Sequence, residues 1–172
     1  MLSAALSTSA CVPSSEPDPE PTPTATPLFA SDEEALAAAE EAYGKFLSVS
    51  DEVFAEGGAQ PERLQEVATG RQLEMDLDGY REVAEQKLRS VGTTTFGDAE
   101  LQSRSEADGE VEVIVYLCED VSGVDVLDSN GASIVLDSRP NETRYEVLFE
   151  SDPESPSRLL VESREVWADG KC

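Results

Sequence analysis

The chemistry open to this chain begins with three cysteines, because it contains no histidine. Without imidazole there is no general base that titrates near neutral pH. Ser-His and Cys-His nucleophile pairs and imidazole metal ligation are excluded with it. Carboxylates, tyrosines and lysines could still move protons, but none recurs at a spacing that marks a catalytic set, so no catalytic residue is assigned. A thiol can be acylated, oxidised to a disulfide or bound to a metal. Two cysteines without histidine cannot complete a tetrahedral zinc shell unless carboxylates help, so neither a metal nor a cofactor is expected.

Cys118 ends the strongest strand pattern in the chain and Cys172 is its last residue. A bridge between them would tie the C-terminal strand to the sheet. The alternative is a buried free thiol at 118 and a frayed end at 172. Closing a loop of about 54 residues is worth about 4 kcal/mol in the chain-entropy account, a large share of a domain's net stability. This pairing leaves Cys11 over.

The segment MLSAALSTSAC, residues 1–11, is uncharged, small and apolar, and ends in Ser9-Ala10-Cys11. It resembles the lipobox of bacterial lipoproteins, in which small residues precede a cysteine that is acylated and becomes the mature N-terminus. Thr8 stands where that motif usually has Leu, Leu6 lies further back, and no basic region precedes it. Residues 1–11 therefore read as the end of a longer signal peptide whose start lies upstream. The resemblance implies a lipid on Cys11 and a place on the outer face of the cell membrane, an oxidising setting that suits a disulfide. Residues 12–30, VPSSEPDPEPTPTATPLFA, have no hydrophobic period. They are expected to form a disordered stalk with a reach on the order of 60 Å.

Thirty-seven Asp and Glu against twelve Lys and Arg give a net charge of −25, and only Glu16, Asp18 and Glu20 among the acids precede residue 31. A field of that sign repels nucleic acid and anionic headgroups. Nucleic acid is therefore not expected as a partner, and the lipid on Cys11 must hold the membrane.

Residues 31–172 have the length of one domain. Ser31-Asp32-Glu33-Glu34 is a capping box, and Leu36, Ala39, Tyr43, Phe46, Leu47, Val53 and Phe54 recur at helical spacing up to Gly57-Gly58. Pro61 opens a short second helix to Ala68, and a third spans residues 71–89 with Leu73, Leu77, Tyr80, Ala84 and Leu88 on one stripe. From Val91 the period becomes two. Strands are expected at 93–103, 109–119, 124–127, 133–136, 144–150 and 158–167, with hairpin turns at Asp108-Gly109 and Asn130-Gly131. Asp76-Leu77-Asp78-Gly79 and Asp128-Ser129-Asn130-Gly131 lack the full ligand alternation of a calcium loop, and read as a helix face and a hairpin turn. The expected class is α+β, with three N-terminal helices packed on a curved antiparallel sheet.

This order of elements resembles the cone-shaped nuclear transport factor 2-like (SnoaL-like) superfamily over residues 31–172. With the Leu117 to Gly123 segment, LCEDVSG, and the terminal cysteine, the whole chain is similar to small lipoproteins of high-GC Gram-positive bacteria. That superfamily includes isomerases, dehydratases, epoxide hydrolases and non-catalytic interaction domains. No position here matches its catalytic residues, so no activity carries over. The resemblance implies a cone whose mouth Tyr43, Tyr80, Tyr116, Tyr145 and Trp167 could line, or whose core they could fill. Three functional readings stay open, the last of them a scavenger of cations at the cell surface that the excess of acid would serve. The first is a non-catalytic domain that binds another envelope component. The second is a small-molecule binder or isomerase-like enzyme with a buried carboxylate.

Overall fold

A capping box starts the fold. Ser31 is in extended backbone and its Oγ accepts from the Glu34 amide at 3.2 Å, while Glu34 Oε2 accepts from the Ala30 amide at 2.7 Å. With acids in its first turn, α1 runs over Asp32–Ala55 and buries Ala35, Ala39, Ala42, Tyr43, Phe46, Leu47 and Val53 along one face. The structure, a computed structural model, describes residues 27–107, 109–168 and 171–172. Cys11, the expected signal region and most of the expected stalk lie outside them. Leu28 and Phe29, at the end of the proline-rich run, belong to the domain. Phe29 is 3% exposed, and the Leu28 amide donates to Glu106 Oε2 at 2.9 Å.

After α1 come a 3-10 helix, Pro61–Glu66, and α2, Gly70–Gln86. Six strands follow: β1 Arg89–Val91, β2 Thr95–Ala107, β3 Glu110–Asp120, β4 Asp125–Leu127, β5 Glu142–Asp152 and β6 Ser155–Val166. Four of them form an antiparallel sheet in the order β2-β3-β5-β6. The core lies where α1 crosses this sheet, on Val111, Val113, Val115 and Leu117 of β3, Val147 and Phe149 of β5, and Leu159 and Val161 of β6. Alternation along β3 puts Tyr116 and Cys118 on the opposite face. There Cys118 is bridged to Cys172, with Cα atoms 5.6 Å apart. No described helix is long and apolar enough to cross a membrane.

The expectation of three helices on one curved, cone-shaped sheet is corrected in three places. The second helix is a 3-10 segment of six residues, hemmed between Gln60 in the left-handed region and Val67, too short to repay α-helix nucleation. The third helix ends early because Lys87 adopts left-handed backbone, φ 57°, which frees Arg89 to begin a strand. The sheet is also divided. β4 pairs with β1, Ser90 opposite Val126, as a separate two-stranded ribbon. The expected strand at 133–136 is absent, and an isolated bridge, Leu127 to Ser133, is what remains of that hairpin. Asp128 turns the chain instead by accepting from the amides of Asn130 and Ala132 at 2.8 and 2.9 Å. Gly92, at φ 93°, lets the β1–β2 link pass against the Gly123 carbonyl, where any Cβ would collide. Residues 121–141 thereby form an arm, closed at its base by the Val121 amide donating to the Asn141 carbonyl at 2.8 Å, rather than extending the four-stranded sheet.

Candidate functional site

α1 and α2 touch little, and the arm closes the gap between them into a cavity of about 410 Å³. Phe46, Ser50, Asp51 and Phe54 of α1 form one wall; Met75, Asp76, Gly79, Tyr80 and Val83 of α2 form the second. The third wall is Val121, Val124, Val126 and Arg139 of the arm, with Glu119 and Arg164 as the floor. On α2 the positions 76, 79, 80 and 83 share a face by helical spacing and line the cavity, while Leu73 and Tyr80 also pack against the core. Its only buried residue is Gln72.

The floor is ionic and anchored. Glu119 follows Leu117 in the inward phase of β3 and is 7% exposed. Its Oε2 accepts from Tyr43 Oη and from Arg164 Nη1, both at 2.6 Å. Arg164 in turn lies over the ring of Tyr145, 4.8 Å from its centroid, and over Phe46 at 5.7 Å. Burial pushes the Tyr43 hydroxyl well above its ordinary pKa, so it stays a donor to Glu119.

The walls are less complete. Gln72 Nε2 donates to Asp76 Oδ1 at 2.9 Å, but Asp76 Oδ2 has no partner. Burial raises the pKa of Asp76, opposed by the Gln72 bond and the Arg164 charge. Tyr80 donates to the Ser50 carbonyl at 3.0 Å, and burial together with the nearby Asp76 charge lifts its pKa to about 12. Arg139 Nη2 donates to the carbonyls of Val121 and Val124 at 2.9 and 2.7 Å, which pins the arm, while its Nε has no acceptor. Both Asp51 oxygens are taken by Thr94, at 2.8 Å from its amide and 2.9 Å from its hydroxyl. Among the described residues four buried side-chain polar atoms lack a partner. Three of them, Ser50 Oγ, Asp76 Oδ2 and Arg139 Nε, belong to residues lining this one cavity. Buried polar atoms are normally bonded, so their concentration here needs a cause.

A larger groove, about 580 Å³, lies between α1, the 3-10 helix and the start of β6. Its cations are already matched, Lys45 to Glu41 and Arg158 to Asp152, and none of the unpartnered atoms belongs to it. Among the described residues no cluster of three His, Cys, Asp or Glu side chains offers a metal site.

The five aromatic residues considered from sequence are not brought together. Tyr43 is fully buried and supports the floor, Tyr80 lines the cavity, and Tyr145 packs beneath Arg164. Tyr116 stacks on Trp167 at 4.8 Å on the far face of the sheet, beside Arg144. The residues that sequence reasoning missed are Ser50, Asp76, Glu119, Arg139 and Arg164. One of them had a readable signal: an acid at 119 in phase with four core residues of β3. Arg164 had none, because a register shift in β6 carries it to the core side.

No protein-family model matches the chain, and a comparison with curated proteins finds no match either. Among solved structures, the intermembrane space region of the chloroplast protein ARC6 aligns with a TM-score of 0.54 at 21% identity. The alignment covers 78% of this chain and 97% of that one. The chain shares a fold with that region. Aln2 from a Streptomyces species aligns at a TM-score of 0.42 and 19% identity, over 80% of this chain and 92% of its own. A protein from Catenulispora acidiphila aligns at 0.41 and 14%, over 77% and 93%. Likeness that loose transfers nothing.

Proposed function

We propose that the protein is a lipid-anchored component of the cell envelope whose domain binds a small ligand in the cavity between α1 and α2, without turning it over. The observation that supports binding is the set of unpartnered polar atoms on Ser50, Asp76 and Arg139 around one open, largely apolar space of ordinary ligand-site size. A ligand that draws these shielded atoms towards the space supplies the missing partners. A second reading, turnover through the partly buried Asp76 carboxylate, is favoured by its burial-raised pKa; binding is preferred because the lining holds no activated nucleophile. Ser50 Oγ has no base against it, and Glu119 is committed to Tyr43 and Arg164. The anchor rests on Ser9-Ala10-Cys11 and the proline-rich run behind it.

Gly79 provides the test. It lies inside α2, lines the cavity, and a Cβ built on it meets nothing within 4 Å. Gly79→Leu should therefore fill the cavity while improving the helix by about 1 kcal/mol. Full-length protein is titrated with 2-phenylethanol, 2-phenylethylammonium and phenylacetate, and amide shifts are followed by NMR. At least one probe should shift residues 50, 76, 80 and 139 in the parent protein and none in Gly79→Leu. Silence from all three probes, or unchanged binding in the variant, contradicts the reading. For the anchor, Cys11→Ala expressed from the full gene should move the protein from the membrane to the aqueous fraction. A variant that stays with the membrane would place the anchor elsewhere.

A further inference from the structure

The charges around the cavity narrow the ligand further, an argument that rests on the binding role proposed above. Three carboxylates, Asp51, Asp76 and Glu119, face two guanidinium groups, Arg139 and Arg164, which leaves one negative charge in excess. The three acids are not equivalent. Glu119 gives Oε2 to Arg164 and Tyr43, so its charge is matched although Oε1 stays unbonded, and Asp51 has both oxygens bonded to Thr94. Asp76 keeps Oδ2 unbonded and has no ion-pair partner among the described residues.

We infer that the ligand is a small organic monocation, an ammonium or similar group on an apolar body, seated with its charge against Asp76 Oδ2. Phe46, Phe54 and Tyr80 give the cavity aromatic walls, which attract an organic cation through their ring faces. The chain's net charge of −25 raises the local concentration of cations and repels anions. An inorganic divalent ion fits poorly, since it demands several oxygen ligands and among the described residues no three acidic side chains converge to supply them. An anion is disfavoured although Arg139 keeps Nε and Nη1 unbonded, because it would add to the negative charge already in excess around the cavity. The burial that raises the pKa of Asp76 also makes a bound cation worth more, because an ammonium restores the charge balance that the unliganded carboxylate lacks.

The same three probes decide it, since they share one ring and differ in charge. By calorimetry at low salt, 2-phenylethylammonium should bind the full-length protein about tenfold or more tighter than 2-phenylethanol, the scale of one charge-assisted hydrogen bond, with phenylacetate weakest. Asp76→Asn, nearly isosteric, should bring the amine down to the level of the alcohol. Equal affinities for amine and alcohol, a tighter phenylacetate, or an amine preference that survives Asp76→Asn would each overturn the cationic ligand while leaving the cavity as the binding site. Failure of every probe would overturn both.

Discussion

The two α-helices treat the same sheet differently. α1 buries seven residues, spaced at three and four, on the valines of β3 and the aromatic of β5, and it supplies most of the helical contribution to the core. α2 buries Gln72 and leaves Met75 58% exposed, with its inward face turned to the cavity. One half of the domain therefore holds most of the buried apolar residues, and the other has unmatched polar atoms around open space. The difference teaches where stability and binding reside, because a site that must admit a ligand cannot also be close-packed.

The sharpest way to break that comparison is to truncate on the packed side. Phe149 is fully buried and meets Tyr43 edge-on with centroids 6.3 Å apart, so Phe149→Ala should cost about 4 kcal/mol in urea unfolding. Phe149 does not line the cavity and reaches its floor only through Tyr43, so probe affinity of the folded fraction should change by about threefold or less. At the seam between the halves, Glu119→Ala strands both Arg164 and Tyr43 Oη and should cost about 3 kcal/mol by the same assay. A cost near zero would mean that water already solvates the floor.

On the cavity side the sign reverses. Asp76→Asn removes a partly buried charge with a free oxygen and should stabilise the protein by about 1 kcal/mol at neutral pH. The pH dependence follows from the raised folded-state pKa of Asp76. A carboxyl that is harder to ionise when folded destabilises the fold at pH above that pKa. The penalty fades as pH falls through the folded value towards the unfolded one. The advantage of Asp76→Asn over the parent should therefore shrink on acidification, as read by denaturation at a series of pH values. An advantage that grows on acidification would mean that the carboxylate is stabilised in place.

The packed half was largely legible in the sequence. The Ser31 capping box, the α1 face and the alternation of Val111 to Leu117 follow from local chemistry with period 3.6 or 2, and the structure keeps them close to their expected bounds. The Cys118–Cys172 bridge was readable because one strand end and the chain end left few other partners. The cavity half was not legible. Its shape depends on Lys87 turning left-handed, on β1 finding β4 across an intervening sheet strand pair, and on a register shift in β6 that points Arg164 inward. None of these leaves a periodic mark. The stripe expected on α2, Leu73, Leu77, Tyr80, Ala84 and Leu88, was drawn for a helix that packs, whereas the cavity face runs through Asp76, Gly79, Tyr80 and Val83. Composition also hid the domain edge, because Leu28 and Phe29 trail a proline-rich run yet pack on the core.

A crystal structure of the full-length protein with 2-phenylethylammonium tests the central claim most directly. The account predicts the ring among Phe46, Phe54 and Tyr80 and the nitrogen within about 3 Å of Asp76 Oδ2. A cavity closed by side chains, or a probe bound elsewhere while Asp76 turns to solvent, would contradict it.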